Sequence, residues 1–116
     1  MQIIVDKKTA ATVLGIHGHF NAAATPEFER VLKQCLDGGE RRFVLNLAEL
    51  TFISSTGLQS ILSTAKAIKE RNGNMVVCAL QGEALKIFKI SGFATLFSMY
   101  PTEAAALKQV DAAQPT

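Results

Sequence analysis

The chain has 116 residues, of which 48% are hydrophobic and 19% are charged, and its formal net charge is +2. This composition suits one domain with a real core, and its scattered lysines and arginines argue against nucleic-acid binding. The N-terminus lacks the regions of a signal peptide, and no apolar run is long enough to span a membrane. We therefore expect a cytoplasmic protein that binds neither nucleic acid nor membrane.

The chain opens with a predicted β-hairpin. Residues 2–6 and 12–19 are strand-like, and residues 7–11 form the turn between them. His17 and His19 are two residues apart, so in a regular strand they share a face. Such a pair is half a metal site, but no carboxylate or cysteine pattern completes the ligand set. We expect two half-exposed histidines and no metal.

A helix is predicted after a loop over residues 21–25. Thr25 is expected to be the N-cap and Pro26 to take the first helical position. Gly38 and Gly39 end the helix. One face is apolar at helical spacing and should pack on the core. The residues of that face are Phe28, Val31, Leu32, Cys35 and Leu36.

Residues 43–47 predict a strand buried on both faces, in which Asn46 needs a polar partner. Residues 51–58 are predicted to be a buried strand, a short turn and the start of a helix that reaches Arg71. The inward face of that helix is expected to carry Leu58, Ile61, Leu62, Ala65 and Ile68. Its other faces carry Gln59, Ser60, Ser63, Lys66 and Lys69.

The remaining pattern predicts a strand over residues 75–80, a helix over 82–90 and a short strand near 96–99. A last helix follows Pro101 and runs to residue 110. Strands thus alternate with helices after the hairpin. This order indicates an α/β fold with a mixed β-sheet of about four to five strands and helices packed mainly on one side.

These elements form a single expected domain over residues 1–110. Residues 111–116 are polar and alanine-rich, and we expect a disordered tail there. Cys35 and Cys78 lie far apart in apolar segments and have no metal-type spacing. We expect both to be buried free thiols in a reducing compartment.

Three consecutive hydroxyls, on Ser54, Ser55 and Thr56, stand where a helix begins. One hydroxyl is enough for an N-cap, so the others are available, and a phosphate there would meet free amides and the helix dipole. Capping alone is the simpler alternative. A nucleophilic Ser55 is disfavoured because the stretch is not Gly-x-Ser-x-Gly and has no matching base and acid.

The run from Asn46 to Leu58, together with residues 18–21, 75–79 and 87–93, resembles the pattern of STAS domains. The resemblance is closest to the single-domain anti-sigma factor antagonists of bacteria. It implies a protein that has no enzymatic activity, needs no cofactor and works by partner switching in transcription control and signal transduction. Ser54 and Asn21 stand where many members of this family have aspartate.

The resemblance implies that Ser55 is phosphorylated by a kinase-type anti-sigma factor, a GHKL-type ATPase. A metal-dependent serine phosphatase would reset the protein. Which of the three neighbouring hydroxyls takes the phosphate stays open. The expected partner-binding residues are Asn21, Ser54, Ser55, Thr56, Gly57, Gln59 and Ser63.

A second function remains compatible with the same pattern. Some STAS domains are accessory subunits of membrane transport complexes, including lipid transporters, and use a related Ser/Thr loop for docking. The serine at position 55 favours partner switching. A monomer is the default oligomeric state.

Overall fold

The computed structural model describes residues 1–110. The strands are β1 (Gln2–Lys7), β2 (Thr12–Phe20), β3 (Arg42–Asn46), β4 (Leu50–Ile53), β5 (Asn74–Cys78) and β6 (Met99–Tyr100). They form one mixed sheet with strand order β1-β2-β3-β5-β6, and β4 also pairs with β2. The first pair is antiparallel and the remaining pairs are parallel. The predicted α/β class and hairpin are confirmed, although the sheet has six strands rather than four to five.

The helices are α1 (Thr25–Asp37), α2 (Ser55–Glu70), α3 (Gly82–Ile90) and α4 (Glu103–Val110). Alternate residues of the central strands point to opposite faces of the sheet. Leu14, Leu45 and Val77 join a core built with α1, α2 and α3. Their neighbours Val13, Val44 and Val76 form a smaller core with α4. Three of the four helices therefore lie on one side, as the sequence predicts.

Strand β2 pairs with β1, β3 and β4 and so sets the positions of these three strands. Its residues 12–15 pair with β3, and its residues 18–20 pair with β4, so β3 and β4 follow one another along the same edge. The register shifts between Gly18 and His19, and Gly18 has a φ of 95°. Glycine adopts this conformation without the steric penalty that a Cβ imposes. Strand β4, which was predicted to be buried, is only half buried, since Phe52 is 42% exposed.

The predicted cap of α1 is wrong. A 3₁₀ turn over Ala22–Ala24 precedes the helix, Ala24 is the capping residue, and Thr25 is already helical. The Thr25 hydroxyl donates to the Ala22 carbonyl at 3.0 Å and caps no amide. Because the three alanines fold as a helical turn, the helical path begins before the Thr-Pro pair.

Asn46 finds the partners that its burial demands. Its side-chain amide donates to Glu103 at 3.0 Å, and its side-chain oxygen accepts from the amide of Ala48 at 3.0 Å. These bonds tie the end of β3 to α4 and to the turn before β4. Satisfying both ends of a partly buried amide removes the desolvation cost of leaving one unpaired.

Cys35 and Cys78 are free and buried, as predicted. Burial raises the pKa of the Cys35 thiol, and it raises the pKa of Cys78 to about 11. Both thiols therefore stay protonated near neutral pH and are poor nucleophiles.

Residues 1–110 contain no group of three or more His, Cys, Asp or Glu side chains placed to hold a metal ion. Within the same range, no helix has both the length and the hydropathy of a membrane span. The predicted disordered tail, residues 111–116, lies outside the described residues.

Candidate functional site

The candidate site forms where two parallel strands end side by side. Phe20, the last residue of β2, pairs with Ile53, the last residue of β4. The amide of Ser54 then donates to the Phe20 carbonyl at 2.9 Å. Asn21 and Ser54 are the residues that directly follow these two paired strand ends. The sheet thus brings together two loops that are more than thirty residues apart in sequence.

Ser54 is the N-cap of α2. Its side-chain oxygen accepts from the amide of Gly57 at 3.1 Å, and its carbonyl accepts from the amide of Leu58 at 2.9 Å. Its extended backbone, with φ −85° and ψ 169°, is typical of a capping residue. The Ser54 hydroxyl is therefore committed to the helix end.

Ser55 and Thr56 occupy the first two positions of α2, and both are exposed. An α-helix has no carbonyl of its own to accept the amides of its first turn, so positive charge collects there. No acidic residue lies in the first turn of α2. This end of α2 is therefore suited to an anionic group attached to Ser55 or Thr56.

We expect Ser54→Ala to lower the free energy of unfolding by about 1 kcal/mol, because it removes the cap of α2. Ser55→Ala should change it by no more than about 0.5 kcal/mol, since the Ser55 side chain is exposed. Urea denaturation followed by circular dichroism measures both values. A larger loss for Ser55→Ala than for Ser54→Ala would contradict the assignment of Ser54 as the cap.

Gly57 is buried where α2 approaches the sheet. A Cβ on Gly57 would lie 2.7 Å from the Phe20 carbonyl oxygen and 2.9 Å from Cγ1 of Ile53. A carbonyl held in the sheet cannot move aside cheaply, so only glycine allows this approach. Gly57 was predicted to contact a partner, and the role visible in the structure is to let α2 dock beside the end of β2.

Gly57→Ala should destabilise the protein by about 1 to 3 kcal/mol, although alanine is the better helix former. Gly15→Ala in β2 is the matched control, because an added Cβ there meets no atom closer than 3.6 Å. Thermal unfolding of both variants against the wild type tests this. If Gly57→Ala were as stable as Gly15→Ala, the close contact with Phe20 would not constrain the helix.

Gln59 and Ser63 are exposed, as predicted, and follow Ser55 at one-turn intervals. Ser63 lines a groove between α1 and α2. Ser60 was predicted to lie off the inward face of this helix, and it is nevertheless buried. Ser60 is 4% exposed, and its hydroxyl donates to the Glu29 carboxylate at 2.8 Å. This second buried face packs against α1 and carries the small hydroxyl residues Ser60 and Thr64, so hydrophobic periodicity did not indicate it.

No hydrogen bond among the described residues joins His17 or His19 to Ser55. His17 lines a groove with Asn46 and Glu103 on another part of the sheet. The ring of His19 lies 5.8 Å from that of Phe52. Neither histidine lines the groove that contains Ser55. Within residues 1–110, the arrangement therefore offers exposed hydroxyls at a helix end, and no histidine lines the groove beside them.

Comparison with known proteins agrees with this architecture. The STAS domain family matches residues 2–106. BtrV of Bordetella bronchiseptica, by name a candidate anti-sigma factor antagonist, is 34% identical over 115 residues and 99% of each chain. A solved anti-sigma factor antagonist from Mycobacterium paratuberculosis has a TM-score of 0.84 at 21% identity, over 95% of this chain and 93% of that one. The phosphorylated form of SpoIIAA, a Bacillus cell fate determinant, has a TM-score of 0.73 at 18% identity, over 94% and 99% of the two chains. This chain belongs to the STAS domain family.

Proposed function

We propose that this protein is an anti-sigma factor antagonist that works by partner switching. In its unphosphorylated form it binds a kinase-type anti-sigma factor, a GHKL-type ATPase, and so frees that factor's target. The kinase phosphorylates Ser55 and the complex dissociates, and a metal-dependent serine phosphatase then resets the protein. The protein itself carries out no reaction, needs no cofactor and acts in the cytoplasm.

The observation that carries this proposal is that one of two neighbouring serines caps α2 and the other is exposed. The Ser54 hydroxyl oxygen accepts a hydrogen bond from the first turn of α2, whereas the hydroxyl of Ser55, one residue later, is free and exposed. A kinase needs an accessible hydroxyl whose modification does not unfold the protein. Because Ser54 already caps α2, a phosphate on Ser55 leaves the cap in place. The relatives whose names are anti-sigma factor antagonist support the proposed class of function.

The structure also supports Ser55 and Thr56 over Ser54 as the acceptor. The Ser54 oxygen is held 3.1 Å from the amide of Gly57 and is half buried, so a kinase would first have to break the cap. Thr56 is exposed like Ser55, and the resemblance to the family favours Ser55. Phosphorylation of single alanine variants at these three positions distinguishes them.

A phosphate adds about −1.5 to −2 charges near neutral pH. In the free protein this charge lies in water at the positive end of α2, where it is tolerated. In a complex the same charge must lose water or face partner groups, which costs several kcal/mol when it is left unpaired. Phosphorylation can therefore abolish binding without unfolding the antagonist.

The proposed partner surface is the pole of the molecule that contains Ser55. Asn21 lies beside Ser54 at the ends of β2 and β4, and Thr56 is exposed next to Ser55. Gln59 and Ser63 extend this surface along α2. Gly57 is buried beneath this surface, where it lets α2 approach the end of β2.

A pull-down from native cell extract tests this function. Wild type, Ser55→Ala and Ser55→Asp serve as parallel baits, and mass spectrometry identifies the recovered proteins. We expect a kinase-like ATPase with the first two baits and not with the third. Recovery of transporter subunits with all three baits would instead assign the protein as an accessory subunit of a membrane transport complex.

A further inference from the structure

A groove of about 480 Å³ opens directly beside Ser55. It lies between the end of β4, the first turn of α2 and the last turn of α3. None of its lining residues is charged, and most of them are large apolar side chains. The lining includes Phe52, Leu58, Ile87 and Ile90 together with Ser54 and Ser55. The phosphorylatable serine is thus part of the wall of an apolar groove.

The groove exposes apolar surface that the fold does not use. Ile90 is 86% exposed and Phe52 is 42% exposed. Lys86 and Lys89 neighbour Ile87 and Ile90 along α3, but neither lysine lines the groove. Lys86 is paired with Glu83 at 3.6 Å. Exposed apolar side chains gathered around one concavity are typical of protein interaction sites. An uncharged lining does not match a charged ligand, so the surface suits an apolar group.

We infer that this groove receives an apolar side chain of the anti-sigma factor, and that a phosphate on Ser55 ends this contact because it would have to lose its water. This inference rests on the proposed function. The groove is continuous with the proposed partner surface, because Ser54 and Ser55 belong to both. A partner that contacts Ser55 therefore also covers the mouth of the groove.

The chemistry of the lining determines how the phosphate acts. When an apolar side chain fills the groove, it displaces the water that would hydrate a phosphate on Ser55. No cation lines the groove to replace that hydration. The free-energy cost of binding the phosphorylated protein is therefore a desolvation cost, which depends weakly on salt. Repulsion by acidic groups on the partner would instead weaken as salt increases, because exposed charges are screened.

The first test compares two exposed apolar residues. Ile90→Ser removes a side chain of the groove, and Leu96→Ser removes a side chain that is 57% exposed but lies outside it. Binding is measured by calorimetry with the purified anti-sigma factor that the wild-type bait recovers. We expect Ile90→Ser to raise the Kd at least about tenfold and Leu96→Ser to change it by less than about twofold. Melting curves confirm that both variants are folded.

The second test uses salt and a double variant. The fold-increase in Kd caused by Ser55→Asp should stay the same within about twofold between about 50 mM and 500 mM salt, where exposed charges become screened. The double variant Ile90→Ser/Ser55→Asp should lose less affinity than the product of the two single losses, because both changes spoil the same contact.

The outcomes separate the inference from the function on which it rests. If the wild type binds the anti-sigma factor and Ser55→Asp does not, but Ile90→Ser binds like Leu96→Ser, the groove is not the contact and the inference is overturned. If high salt restores binding of Ser55→Asp, charge repulsion replaces desolvation as the mechanism. If the wild type captures no anti-sigma factor, the proposed function itself fails.

Discussion

Ser55→Asp is expected to stay folded and to raise the Kd for the anti-sigma factor at least about thirtyfold. An unpaired charge at the edge of an interface costs about 2 kcal/mol or more when its partner surface excludes water. Ser55 is exposed at the first position of α2, so the new carboxylate is solvated in the free protein and lies at the favourable end of the helix dipole. The loss should therefore appear in binding and not in stability.

Calorimetric titration gives the affinity, and a urea titration gives the free energy of unfolding. Ser55→Asn is the control, because it has nearly the same shape as Ser55→Asp without the charge. We expect Ser55→Asn to bind much more tightly than Ser55→Asp. Equal affinities for the two variants would show that size, not charge, controls the complex. Tight binding by a folded Ser55→Asp would argue against phosphorylation as the switch.

Leu58→Asp is expected to remove most of the stability of the protein. Leu58 lies in the first turn of α2, is 4% exposed and belongs to the main core. Truncating a buried leucine alone costs about 2 to 5 kcal/mol, and an unpaired buried carboxylate adds its own desolvation cost. A domain of this size has about 5 to 15 kcal/mol in total. We therefore expect a protein that is unfolded or close to unfolding at room temperature.

Gln59→Asp provides the matched control for this change. It introduces the same carboxylate at the next position of the same helix turn, where the side chain is exposed. Its unfolding free energy should stay within about 0.5 kcal/mol of the wild type. Circular dichroism during urea titration measures both variants. A soluble and stable Leu58→Asp protein would mean that this face of α2 does not pack on the sheet.

Local sequence pattern was sufficient where neighbours along the chain decide the structure. The buried face of α1, with Phe28, Leu32, Cys35 and Leu36, follows from helical periodicity. The end of that helix follows from Gly38-Gly39, and the bounds of α3 follow from its flanking residues. A helix follows Pro101 as predicted, and the Thr102 hydroxyl accepts from the amide of Ala105 at 3.1 Å at its start. These features depend on interactions within one turn of chain.

Tertiary structure decided the features that depend on residues distant in sequence. The sequence alone could not choose among the hydroxyls of Ser54, Ser55 and Thr56, because the choice depends on where α2 begins. The end of β4 beside Phe20 sets that start, and the bond from the Ser54 amide to the Phe20 carbonyl holds it. The same pairing brings Asn21 to the site and makes glycine necessary at position 57.

Local sequence patterns predict the order of strands and helices, most of the core and the stretch that carries the candidate site. Each of these is encoded in periodicity and composition over a few residues. Only the tertiary structure assigned Ser54 to the helix, exposed Ser55, buried Ser60 against Glu29 and opened the groove beside Ile90. These outcomes arise from the packing of β4, α2 and α3 against one another. Such contacts join segments that are distant in sequence, so the periodicity of any one segment does not predict them.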